Sequence, residues 1–303
     1  MGLTKFPNGI TSFGVPVLPG NPLTTGSVFW VDSGDGVDSP NYGSYEKPFA
    51  TIDYAIGKCT ASNDDIVYVK PGHAETVSSA TGLVMDVAGV SVVGLGRGSL
   101  MPTITLDTAA AATISITAAD TMFAGIKLYS DYTGGVTAGI TLGAAADGCI
   151  IDGVVFTEGA ATKEYLIGIK ITAACNDVII RNCRYIGTAS GSTTSVISAL
   201  GASNNLIIEN NYINSDCSAA CIKLDAAAST DIQVLNNRVI NIDTGAGLGI
   251  AAHNSCTGMM AGNFVTNLKD TVVGLSGTGL AYHENYGSNA AGASGIILPA
   301  VDS

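Results

Sequence analysis

Asp177-Val-Ile-Ile-Arg-Asn182, Asn205-Leu-Ile-Ile-Glu-Asn210 and Asp231-Ile-Gln-Val-Leu-Asn236 repeat one pattern: an Asx residue, a short β-branched run, and an Asn five positions on. Short apolar runs bounded by Asn, Asp and Gly read as strands, not helices. Outward from these three, the pattern recurs at Asp147/Asp152, Asp120/Gly125 and Gly89/Gly94, and again at Gly258/Asn263 and Gly279/Glu284. Successive first members lie 31, 27, 30, 28, 26, 27 and 21 residues apart. A period of that size is one coil of a repeat architecture.

A second strand precedes each such run, as in Ala112–Ile116, Ala138–Leu142, Gly168–Ile171 and Ala220–Leu224. A third follows in several coils, at Val154–Phe156, Arg184–Ile186 and Arg238–Ile240. Three short strands per coil are too few for a propeller blade of about 40 residues, and the regular leucines of a leucine-rich repeat are absent. The expected fold is an all-β single-stranded parallel β-helix of about eight coils, stacked at the inter-strand spacing of ~4.8 Å. A composition of 47% hydrophobic and 13% charged residues with 38 glycines suits a narrow interior built in thin layers.

Four regions are expected: an extended arm over residues 1–27, an N-terminal cap and first coil over 28–77, the β-helix over 78–285, and a C-terminal cap or tail over 286–303. The arm holds Pro7, Pro16, Pro19 and Pro22, which disfavour helix. Its apolar residues Phe6, Pro7, Ile10, Phe13, Val15, Pro16, Val17 and Leu18 are expected to dock on a partner surface, because they would otherwise face water. Pro48 is expected to open a short helix, Phe49 to Cys59, whose Phe49, Ile52, Ile56 and Cys59 share a face that lids the first coil.

The net charge of −12, from 13 Lys+Arg against 25 Asp+Glu, argues against nucleic acid as a partner. The first twenty residues show no continuous apolar core of a Sec-type signal, and no apolar run reaches membrane-spanning length, so no membrane partner is expected. The seven cysteines contain no C-x-x-C pair and read as small buried hydrophobes in a reducing compartment. Cys217 and Cys221 with His253 lack a fourth ligand at metal-site spacing.

The run Gly43–Ile56, GSYEKPFATIDYAI, followed by Asp65–Gly72, DIVYVKPG, resembles the N-terminal capping segment of pectate-lyase-like right-handed β-helix proteins. The resemblance implies a right-handed coil, on a fold that carries lyases, hydrolases and non-enzymatic viral fibres alike. The leader Met1–Pro16, MGLTKFPNGITSFGVP, resembles those of tailed-phage structural proteins. That second resemblance implies a virion component assembled in the host cytoplasm, with the major capsid protein or another virion protein as partner.

Hydrolases on this fold need carboxylates, a His and an Arg/Lys pair on neighbouring coils. Only Asp64-Asp65 and Gly72-His73 stand near the capping end, and His73, His253 and His283 read as surface residues. Lyase chemistry needs acidic Ca²⁺ ligands. Asp120, Asp147, Asp177 and Asp231, with Asn205, align in one column, although turn capping explains Asx there as well. Asn182, Asn210, Asn236 and Asn263 form a second column, expected to be a side-chain ladder. The loops Tyr129–Gly135, Thr157–Glu164 and Gly187–Thr194 offer Tyr129, Tyr132 and Tyr165 as stacking rings for a glycan. The expected protein is therefore a non-enzymatic capsid decoration or cement protein, associated three-fold, with no catalytic residue, cofactor or metal site. The rival expectation is a tailspike-like protein that binds or cleaves carbohydrate; an adhesin is a third.

Overall fold

The computed structural model describes residues 24–188, 191–245, 247–268, 274–289 and 294–296, with the backbone of Thr11–Ser12 and Val15–Pro16. Those last two segments pair antiparallel, so this part of the arm folds back on itself. The other residues of the proposed docking arm lie outside the described residues.

The chain winds through three sheets. The first has ten parallel strands, from Val28–Val31 to Ala281–His283. The second runs from Ala74–Val77 to Tyr286–Ser288 and ends on an antiparallel strand, Ser294–Ile296. The third has eight strands, from Val84–Met85 to Leu275–Ser276, so eight coils carry all three strands. Each strand pairs with its counterpart one coil away, for example Ile150 with Ile179 and Ile179 with Ile207. One apolar column results, filled by Ile, Val and Leu at alternate positions.

The entry to the first sheet bends through a left-handed residue in coil after coil: Asp64, Gly89, Asp120, Gly148, Asp177, Asn205 and Asp231 occupy one register position, all at positive φ. Gly, Asn and Asp tolerate that region best, which is why the sequence pattern recurs there. In the fourth of these coils the bend falls on Gly148, one residue beyond the expected Asp147, whose Oδ1 instead accepts from Asn176 N at 2.6 Å. Acidic and neutral residues therefore alternate along the column, and no two carboxylates stand on adjacent coils. An alanine methyl at position 148 would overlap Oδ1 of Asp120, on a backbone at φ 68. Gly148→Ala is expected to cost about 2 kcal/mol in denaturant unfolding; an unchanged midpoint would show that Asp120 yields freely.

A second left-handed column joins the first sheet to the second, at Gly125, Gly153, Asn182, Asn210, Asn236, Gly262 and Glu284. Asn182, Asn210 and Asn236 are exposed bend residues, so the ladder does not run through them. It runs one residue later, where the chain turns inward: Asn211, Asn237, Asn263 and Asn285 are buried. Nδ2 of Asn211 donates to Oδ1 of Asn237 (3.0 Å), Asn237 to Asn263 (3.0 Å) and Asn263 to Asn285 (2.9 Å). Asn263 alone of the expected four is a member. In earlier coils the same inward position holds Ile126, Val154 and Cys183.

The capping helix is Ile52–Ile56, shorter than expected. Thr51 is its N-cap, while Phe49 bridges to Val31 as an extended residue. Ile52, Ala55 and Ile56 are buried over the first coil.

Candidate functional site

Side chains alternate in and out along a strand. In the second sheet Tyr185, Ile213, Val239 and Val265 point into the column, and their neighbours Arg184, Tyr212, Arg238 and Phe264 point out. The register sets Arg184 beside Tyr212, Tyr212 beside Arg238, Arg238 beside Phe264, and Phe264 beside Tyr286. Five successive coils thus carry one outward row, Arg-Tyr-Arg-Phe-Tyr, at ~4.8 Å per step. Tyr212 lies between two guanidinium groups, 5.8 Å from Arg184 Cζ and 5.6 Å from Arg238 Cζ. Phe264 and Tyr286 are 46% and 45% exposed, unusual for aromatic rings. A parallel row on the same face supplies Asn214, Thr266 and Ser288.

Charge sharpens the row. Arg181, on the first sheet, pairs with Asp152 at 2.8 Å, whereas among the described residues neither Arg184 nor Arg238 has an acidic partner. Two free guanidinium forks on a chain of net charge −12 form a local cationic strip. A guanidinium takes a carboxylate or sulfate in bidentate fashion. The negative face of an exposed ring receives the weakly positive C–H edge of a sugar.

The residues singled out from sequence are scattered. His73 is buried, contrary to expectation, because the loop after the first strand folds over it: Ser33 N donates to Nδ1 (3.0 Å), and Nε2 lies 3.1 Å from Glu75 Oε2. Glu75 also accepts from Ile52 N at 3.1 Å, so this pair braces the cap. His253 accepts from Ser255 N, and His283 is exposed beside Glu284. Tyr165 is fully buried against Phe156 and Tyr185 and offers no stacking surface; Tyr129 and Tyr132 are half-buried. Lys163 Nζ holds Asp131 at 2.7 Å, tying two of the three loops together. All seven cysteines are free and six are buried; burial pushes the thiols of Cys149 and Cys183 up to about 12. No group of three or more His, Cys, Asp or Glu among the described residues could hold a metal ion.

The outward row is absent from the sequence-based expectations although its signal is present. Arg184, Tyr212, Arg238, Phe264 and Tyr286 each stand two residues after the left-handed bend of their coil.

No family model matches the chain, and no curated protein matches it in sequence. Solved structures do match in shape. A rhamnogalacturonan lyase superposes with a TM-score of 0.63 at 13% identity, over 85% of this chain and 73% of that one. A GH136 lacto-N-biosidase from Eubacterium ramulus superposes with a TM-score of 0.62 at 12% identity, over 86% of this chain and 56% of that one. At these identities the likeness is one of fold: the chain is a right-handed parallel β-helix.

Proposed function

We propose that this protein recognises a linear, negatively charged glycan along the outer face of the second sheet. The observation that carries the reading is the row Arg184, Tyr212, Arg238, Phe264 and Tyr286. It joins unpaired guanidinium groups to exposed rings at a step close to the length of one sugar unit. The names of the similar structures, a lyase acting on rhamnogalacturonan and a lacto-N-biosidase, support a carbohydrate ligand without specifying it. The proposal is one of recognition, and no bond-breaking step is assigned to the row.

Affinity electrophoresis of the full chain through polygalacturonate, alginate and neutral dextran tests it. Retardation by the two acidic polymers, weakened at high salt because surface charges are screened beyond ~8 Å at physiological ionic strength, and none by dextran, is the expected pattern. Equal mobility in all three gels would remove the proposal. A second reading, an architectural virion protein with three-fold association, rests on the arm's resemblance. It expects deletion of residues 1–27 to abolish attachment to capsids while the solenoid stays folded.

A further inference from the structure

The outward row of the second sheet reaches beyond Arg184. Lys127 pairs with Val155 and Val155 with Arg184, so Lys127 stands two coils before Arg184, just as Arg184 stands two coils before Arg238. Among the described residues Lys127 has no acidic partner. Cations therefore recur on every second coil, about 10 Å apart at two steps of ~4.8 Å. The coils between them carry Val155, Tyr212 and Phe264 at the same position.

The next outward position, two residues on, alternates in the opposite sense. In the cationic coils it holds Tyr129, Ile186 and Ile240, and in the others Thr157, Asn214 and Thr266. All of these side chains are exposed or half-buried. One kind of coil thus joins a positive charge to a bulky apolar or aromatic group. The other joins an apolar or aromatic group to a hydroxyl or amide. The interior has no such two-coil period: the inward residues of the same strands, Leu128, Phe156, Tyr185, Ile213, Val239 and Val265, are apolar or aromatic throughout. Nor do contacts between the outward side chains impose it, because Val155 offers Lys127 and Arg184 none of the ring contact that Tyr212 offers its two guanidinium groups.

A glycan laid along this face advances close to one sugar unit per coil. We infer, on the recognition reading above, that the ligand is a copolymer in which an acidic sugar alternates with a neutral one. The acidic units fall on Lys127, Arg184 and Arg238, where an ammonium or guanidinium group takes the carboxylate. The neutral units fall on the coils of Val155, Tyr212 and Phe264. There the rings receive C–H edges, and Thr157, Asn214 and Thr266 face the hydroxyl or amide substituents. A chain with an acid on every sugar would also bring carboxylates against the negative faces of Tyr212 and Phe264. Such a carboxylate loses water and meets no counter-charge, which selects against that ligand.

Isothermal titration of the full chain with octasaccharides tests the alternation. Hyaluronan and unsulfated chondroitin carry an acid on every second sugar, oligogalacturonate on every one, and dextran on none. At least one alternating ligand is expected to bind roughly threefold or more tighter than oligogalacturonate, although it carries half the charge, and Lys127→Ala is expected to weaken it about threefold. Val155→Arg sets a cation on a coil that lacks one and should shift the preference toward oligogalacturonate. Oligogalacturonate binding as tightly as both alternating ligands, or an unchanged preference in folded Val155→Arg, would overturn the alternation and leave recognition of acidic glycans standing. Binding of no acidic ligand at all would remove both.

Discussion

Replacing Arg184 and Arg238 together by alanine is expected to reduce affinity for an acidic polysaccharide about 10-fold while leaving the unfolding midpoint within about 1 °C. Each guanidinium is exposed and its contribution is discounted for solvent, so about 0.7 kcal/mol, a factor of about three, is assigned to each. Both sit on the solvent face and neither contributes to the apolar column, so stability has little reason to change. Arg184→Lys with Arg238→Lys keeps the charge and loses the fork. It should recover the salt-dependent part of binding but not all of the affinity. Tyr212→Ala should weaken binding as well, because it removes the ring that orders both guanidinium groups. Isothermal titration with a defined oligouronide reads all three variants. Wild-type affinity in the double alanine variant would mean that the row is only a cross-strand packing ladder.

Asn237→Leu is expected to have the largest effect on stability, lowering it by about 3–5 kcal/mol, since each buried polar group left unpaired costs ~1–3 kcal/mol. Asn237 Oδ1 accepts from both N and Nδ2 of Asn211, at 3.0 Å each. Its Nδ2 donates to Ile208 O at 2.8 Å and to Asn263 Oδ1 at 3.0 Å. Leucine fits the volume, and Ile126 and Val154 show that an apolar residue is accepted at this position where its neighbours are apolar. In the middle of the ladder it strands groups on both adjacent coils. Asn210→Gly, at the bend that precedes Asn211 in the adjacent coil, should be neutral or mildly stabilising, because that residue is an exposed left-handed bend at φ 56. Denaturant unfolding of the pair separates a ladder at Asn237 from one at Asn210; a loss below about 1 kcal/mol at Asn237 would contradict the buried network.

The two left-handed columns make the fold legible in the amino-acid sequence. Bends that need Asn, Asp or Gly recur at fixed distance from β-branched runs, and that requirement is local. Expectation and structure part where two acceptable residues adjoin. Asn210-Asn211 and Asn236-Asn237 each offer two asparagines, and only the backbone decides which bends and which turns inward. Asp147-Gly148 poses the same choice, and the glycine takes the bend. The outward row is within reach of the sequence, because its residues keep a constant offset from the second bend, but an Arg or Tyr on a strand carries no mark of which face it occupies until the register is known. His73 is beyond reach: it is buried by a loop folding over it, and loop placement depends on contacts between segments far apart in sequence, such as Ser33 with His73.

A crystal structure with an acidic oligosaccharide decides whether the outer face of the second sheet is the proposed glycan-recognition surface. Sugar units are expected along the coil axis over Tyr212, Phe264 and Tyr286, with carboxylates against Arg184 and Arg238. Ordered sugar on the first or third sheet instead, with the Arg-Tyr-Arg-Phe-Tyr row bare at saturating ligand, would contradict it.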